Sequence, residues 1–143
     1  MIWEEDLTVG KKAELEFMCI LSQSPVVKSI ERPQGKFKDY DIKTHRTDWS
    51  EITYEVKVDN IYPTSKWVWI EYECKWVPSG IMTSKADYYV YKLDANFYIA
   101  PKWKLLELLM LSETKQQRQG WDDWTAKLWI IPEWEFLSVA KKV

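Results

Sequence analysis

The sequence predicts an α/β domain of the α+β kind, with a small mixed central sheet flanked by helices. Three observations predict it. A helical pattern opens the chain, with Ala13, Phe17, Ile20 and Leu21 recurring on one face. Several β-rich segments follow between turn signals, the clearest being Ile52-Thr-Tyr-Glu-Val-Lys-Val-Asp59. An apolar helical run at residues 101–112 and a strand-like segment at 125–131 complete the order. At 143 residues the chain is most simply one domain. A chain of this size buries roughly 70% of its unfolded surface, enough for a proper core.

Taken in order, the first helix is expected over residues 11–23, with Gly10 before it and Pro25 stopping it. A short strand follows at 26–30, and Arg32-Pro-Gln-Gly35 is a turn signal. A second strand at 36–43 carries Asp41, and 44–50 reads as a polar connection. Residues 52–59 give the strongest strand, in a hairpin with the Asp41 strand. Residues 60–65, with Pro63, read as a loop. Residues 67–77 alternate Val68, Ile70, Tyr72, Cys74 and Trp76 against Trp67, Trp69, Glu71, Glu73 and Lys75, which predicts one long strand. Pro78-Ser-Gly80 breaks it. One or two helical turns at 79–85 and a Tyr- and Val-rich strand at 86–93 come next. The helix at 101–112 is apolar almost all round, so burial is expected. Residues 112–123 are polar and read as a loop, and Pro132 stops the last strand. A core over about 10–93 and a Trp-rich C-terminal extension over 101–143, with an added helix, make up the single domain at 1–143.

Composition excludes several classes. Only 4 glycines are present and no glycine-rich phosphate loop or dinucleotide fingerprint is found, so no nucleotide cofactor is expected. The longest apolar run, about 105–111, is too short to span a bilayer, and no membrane association is expected. The acidic opening Met1-Ile-Trp-Glu-Glu-Asp6 is unlike an ordinary signal peptide. Cys19 and Cys74 stand in apolar contexts and read as reduced core residues. A net charge of −2 is not the footprint of a protein that coats DNA. It leaves open a DNA-binding face on which basic residues gather.

Glu55 and Lys57 are two residues apart on a strand, so they share a face, while Tyr54, Val56 and Val58 point to the other and can be buried. With Asp41 on a neighbouring strand, two carboxylates and an ammonium converge. Such a group can hold a hard divalent cation through oxygen ligands and position a water for attack on a phosphodiester. The alternative is a salt bridge on a solvated face, worth under about 1 kcal/mol.

On these residues the chain resembles the PD-(D/E)XK nuclease superfamily, whose fold is restriction-endonuclease-like. That family places an Asp at the start of one strand and Asp/Glu-X-Lys on the next strand of a hairpin, as Asp41 and Glu55-Val-Lys57 would be. Gly10-Lys-Lys-Ala-Glu14 looks like the helix glutamate of archaeal-type Holliday junction resolvases. Tyr54-Glu-Val-Lys-Val-Asp59, Ile70-Glu-Tyr-Glu73 and the segment 78–91 look like small bacteriophage endonuclease-like proteins. Tyr40 stands where the family's proline would precede Asp41, and Asp39 rivals Asp41 for the Asp position; Asp41 is preferred because Ile42 continues the strand beyond it.

The resemblance implies a metal-dependent DNA endonuclease, acting on branched, flap or duplex DNA. It implies Asp41, Glu55 and Lys57 as catalytic residues. Glu14, Asp41, Glu55 and the Val56 carbonyl are the implied ligands of Mg²⁺, for which Mn²⁺ can substitute. Lys57 would orient or help deprotonate the attacking water. Glu16 is the lesser alternative to Glu14. Glu71 is a further acidic candidate, against its reading as the polar side of an amphipathic strand. Lys85 is a candidate for DNA phosphate. Trp67 and Trp69, on the face of Glu71, are candidates for base contact, against core or dimer packing for the tryptophans at large. Resolvases of this superfamily act as dimers because a four-way junction is two-fold symmetric, so a homodimer is one expectation. A cytoplasmic protein is expected, in the host cytoplasm if phage-encoded. A catalytically inactive nucleic-acid-binding or assembly protein on the same fold is the alternative. His45, the single histidine, lies in the polar connection and reads as structural or exposed.

Overall fold

Alternation of apolar and polar residues makes residues 51–59 a strand, and the chain is built around it. The computed structural model describes residues 2–33, 39–59, 62–120 and 125–143, with the side chains of 2–8 and 62–63 excepted. Helix α1 (Ile2–Ser22) is followed by β1 (Val27–Glu31), β2 (Ile42–Arg46) and β3 (Glu51–Asp59). The one-turn α2 (Tyr62–Ser65), β4 (Trp67–Cys74), β5 (Val77–Pro78) and a 3-10 turn (Gly80–Met82) come next. Then follow β6 (Tyr88–Leu93), β7 (Asn96–Pro101), α3 (Lys102–Leu111), β8 (Gln116–Gly120), β9 (Ala126–Pro132), α4 (Glu133–Phe136) and β10 (Lys141–Lys142).

A six-stranded sheet has the order β1-β2-β3-β6-β7-β10, and a four-stranded sheet the order β5-β4-β9-β8. The first is mixed: β3 and β6 run parallel, with Glu55 beside Tyr89 and Lys57 beside Tyr91, and its other pairs are antiparallel. The molecule is therefore an α+β fold with two sheets. One face of the large sheet (Ile42, Tyr54, Val90, Phe97) packs on Ala13 and Phe17 of α1. The other face (Tyr89, Tyr91, Leu93, Ala100) packs on Val68, Ile70 and Ile131 of the small sheet, Leu105 and Leu109 of α3, and Phe136 of α4.

Several expectations are corrected. The second face of the large sheet is covered by a second sheet as well as by helices. Helix α1 begins at Ile2, and Gly10 lies inside it. The strand expected at 36–43 runs 42–46, so Asp41 stands just before it and not within it; residues 34–38 lie outside the described ones. Thr44 and His45, read as connection, pair with β3 and Arg46 pairs with Val27 of β1, and Thr44 is fully buried. The long strand at 67–77 is two: the chain reverses at Lys75 and Trp76, both at positive φ (50° and 66°), and β5 returns along β4. The helical turns at 79–85 reduce to the single 3-10 turn. Strand β7 was not foreseen, and β8 occupies the expected loop because it pairs with β9. Helix α3 buries Leu105 and Leu109 but leaves Trp103, Met110 and Leu111 exposed, since it packs on one side only. The region beyond 101 is woven into both sheets: β9 pairs with β4 and β10 with β7.

Candidate functional site

The candidate site lies where β2 stops short of β3. Asp41 donates its N–H to the Tyr54 carbonyl at 2.9 Å, the last backbone bond between the two strands on that side. The next N–H of β3 facing that way is that of Val56, and among the described residues no strand residue remains opposite it. The Asp41 carboxylate fills the gap: the Val56 N–H donates to its Oδ2 at 2.8 Å. In a strand the N–H and C=O of one residue point to the same side, so the Val56 carbonyl also faces past the end of β2. Hence Asp41 is fixed at the strand end by β3 itself, and Glu55 and Lys57 project from the intervening positions.

Lys57 Nζ lies 3.1 Å from Glu55 Oε2; the Glu55 side chain is nearly buried and that of Lys57 is 43% exposed. Ser84, buried in the segment before β6, donates its hydroxyl to Glu55 Oε1 at 3.4 Å. That segment is anchored from several sides. Asp87 Oδ2 accepts from the Thr53 N–H at 2.9 Å, Asp87 donates its own N–H to the Thr53 carbonyl, and Lys102 Nζ donates to the Ser84 carbonyl. The Glu55 carboxylate is thus held by an ammonium from its own strand and a hydroxyl from the segment that leads into β6.

Electrostatically the site is strained. Burial pushes the Asp41 carboxyl up to about 7, and the Glu55 carboxylate adds to this; the Val56 N–H and the Lys57 ammonium only partly offset it. Burial also raises Glu14, which the Arg32 guanidinium opposes and Glu55 reinforces. For Lys57, loss of hydration pulls its pKa down, but the Glu55 carboxylate, the Tyr89 phenol and the Asp41 carboxylate outweigh it and hold the ammonium above the ordinary lysine range. Two carboxylates that resist joint ionisation beside a firmly charged lysine mark a functional-site candidate on physical grounds.

The structure brings Asp41, Glu55 and Lys57 together and sets Glu14 within their electrostatic reach. Glu14 itself pairs with Arg32 at 3.7 Å, and its rival Glu16 is engaged by Lys92 at 3.0 Å. Asp39, the rival of Asp41, turns its carboxylate to Lys85 at 3.9 Å. Lys85 is 75% exposed at the rim. Glu71 accepts from the Ser79 hydroxyl at 2.8 Å and steadies the turn before Gly80. Trp67 and Trp69 are half-buried in β4, and the Trp69 N–H donates to Asp59 Oδ2 at 3.1 Å. Far more exposed are Trp49, Trp76, Trp103 and Trp134. Arg32, Ser84 and Lys102 are site neighbours that sequence reasoning missed. The parallel crossover between β3 and β6 delivers Ser84, and no local motif announces it.

Among the described residues, no group of three or more His, Cys, Asp or Glu side chains is assembled to hold a metal. The donor chemistry at Asp41 and Glu55 nevertheless fits Mg²⁺, a hard ion that keeps several waters and needs only one or two protein carboxylates. The chain matches no protein-family model, and no curated protein or solved structure matches it significantly. No helix among the described residues is long and apolar enough to cross a membrane.

Proposed function

We propose that this chain is a metal-dependent DNA endonuclease of restriction-endonuclease-like fold. The observation that carries the reading is the convergence of Asp41, Glu55 and Lys57 at the end of β2, with the Asp41 carboxyl raised to about 7. The order helix, three antiparallel strands, crossover, parallel strand supports the proposed fold. Asp41, Glu55 and the Val56 carbonyl would hold Mg²⁺ or Mn²⁺, with Glu14 close by. When bound, the ion would supply Lewis-acid activation of water and phosphate. The residues of the chain do the rest. Lys57, the partly open ammonium of the group, leaves Glu55 and takes a phosphate oxygen, stabilising charge that develops as the bond breaks. Lys85 at the rim meets backbone phosphate.

A second reading has one specific observation in its favour: no three-ligand metal group is preassembled among the described residues, and Lys57 occupies Glu55. Under it the chain binds nucleic acid or assembles without cleaving. The deciding experiment is incubation of labelled duplex, flap, four-way-junction and single-stranded DNA with Mg²⁺ or Mn²⁺. Wild type is run beside Lys57→Ala. Cleavage reduced about 100-fold or more in the variant, the usual cost of losing one charge-stabilising donor, supports the nuclease. A folded wild type that cuts none of the four favours the binding reading.

A further inference from the structure

The large sheet sets a tyrosine beside each functional member of β3: Tyr89 beside Glu55 and Tyr91 beside Lys57, in parallel register and on the same face. Adjacent strands lie only about 4.8 Å apart, so each phenol stands directly next to its partner. The two tyrosines differ in one respect. The Tyr91 hydroxyl donates to the Trp69 carbonyl at 3.3 Å. The Tyr89 hydroxyl is buried and has no hydrogen-bond partner among the described residues; the Ser84 hydroxyl is near enough to favour the ionised phenol, but donates to Glu55 Oε1 at 3.4 Å. Tyr89 is among the most completely buried large side chains of the protein. A buried hydroxyl left unmatched is costly, and such groups persist where function needs them.

The neighbour that could use this donor is already served. In the resting fold Glu55 takes the Lys57 ammonium on Oε2 and the Ser84 hydroxyl on Oε1. If Lys57 turns to a phosphate, as the proposed mechanism requires, Glu55 loses its ammonium while remaining nearly buried. We infer that Tyr89 is a positioning residue of the site, whose hydroxyl donates to the Glu55 carboxylate when Lys57 releases it. The inference rests on the nuclease reading for the event that frees Lys57, while the contact itself can be tested without catalysis. Burial, with Glu55 adding to it, raises the Tyr89 phenol above its ordinary range despite the opposing Lys57 charge, so the proton stays on the oxygen at neutral pH and is available to donate.

Thermal melts at pH 8 without metal test it through a double-mutant cycle of Tyr89→Phe and Lys57→Met, the latter keeping the aliphatic stem but no charge. In the wild-type background Tyr89→Phe should leave the melting temperature unchanged or raise it, because the hydroxyl has no partner to lose. In the Lys57→Met background the same change should lower it by about 2–4 °C or more, because the hydroxyl then serves Glu55. Lys57→Gln gives a second background should Lys57→Met fold poorly. Equal losses in both backgrounds would reveal an ordinary structural hydroxyl and overturn the inference, as would no loss in either. On DNA, Tyr89→Phe should lower kcat about tenfold at unchanged KM, and a variant as fast as wild type also overturns it. A wild type that cleaves nothing defeats the nuclease reading alone, and the cycle still decides whether Tyr89 answers Glu55.

Discussion

Replacing Asp41 by Asn should make the protein more stable in alkaline solution and no more stable in acid. The side chains have the same shape, and an Asn carbonyl can still accept the Val56 N–H bond seen at 2.8 Å. What changes is the charge beside Glu55. The folded chain raises the Asp41 carboxyl from an ordinary 3.8 to about 7, through burial first and the Glu55 carboxylate second. The folded state therefore binds a proton in a range where the unfolded chain does not. Stability from this group is fully present below the unfolded value and is lost as pH rises through the folded one. Each pH unit in that interval is worth about 1.4 kcal/mol, so the two units from pH 5 to pH 7 remove about 2–3 kcal/mol from the wild type. An amide at position 41 cannot titrate and escapes the loss. Urea unfolding at pH 5 and pH 8.5, followed by tryptophan fluorescence, would measure it. The expected result is an advantage for Asp41→Asn that is about 2–3 kcal/mol larger at pH 8.5 than at pH 5, the Val56 bond being already part of the shift. A variant less stable at both pH values by the same amount would refute the reasoning, since it would mean that Asp41 carries no repulsion to relieve.

Other consequences follow from the same geometry. Mg²⁺ should raise the melting temperature of the wild type more at pH 8 than at pH 5.5, because ligand binding stabilises the folded state and Asp41 must be ionised to bind. The Asp41→Asn variant should show little of this rise, and an equal rise in both proteins would place the ion elsewhere. Gly80 opens the 3-10 turn at φ +55°, where a Cβ would stand 2.3 Å from the Glu71 carbonyl oxygen. Gly80→Ala should therefore cost about 2–4 kcal/mol, from left-handed strain and overpacking, and a loss under about 1 kcal/mol by urea titration would contradict the packing. Gly10, inside α1 with nothing within 4 Å of its would-be Cβ, is the opposite case. Gly10→Ala should stabilise by about 0.5–1 kcal/mol, read from the same titration.

The part of the site that was legible in the sequence is the part local in sequence. Glu55 and Lys57 follow from the two-residue period of β3, whose other face does bury Tyr54 and pack Val56 and Val58 against the α1 core. The hairpin beside Asp41 followed from two strand-like segments joined by a short polar connection, although the first strand began six residues later than expected. Strand β8 escaped notice because Gln116 to Gln119 are exposed on a sheet edge and carry no apolar alternation; pairing with β9 makes it a strand. The reversal between β6 and β7 uses Asp94-Ala95, with Asp94 at φ 60°, and lacks the Asn-Gly or Asp-Gly signature. The apolar run at 101–112 could show that α3 is helical, but not that only one of its sides meets the core. Ser84 and Tyr89 could not have been placed at all. Their nearness to Glu55 depends on the parallel pairing of β3 and β6, which depends in turn on the intervening β4 leaving to build a second sheet.

That crossover also explains why the cluster is tolerated. Asp41 and Glu55 repel, and a chain selected for stability alone would replace one of them with a neutral residue. Here the conflict is contained from three directions: the Val56 N–H on Asp41, the Lys57 ammonium on Glu55, and Ser84 brought in by the segment that Asp87 and Lys102 pin down. None of these supports removes the repulsion, since Asp41 remains shifted with all of them in place. A purely structural ion pair would need one carboxylate for one lysine. Two carboxylates for one lysine leave an acidic excess that only a cation or a proton can balance, and pH distinguishes the two: proton balance fades above pH 7, whereas cation balance grows stronger there. The difference between the Mg²⁺-induced melting shifts at pH 8 and pH 5.5 thus tests the reason for the cluster's existence as directly as a cleavage assay tests its use.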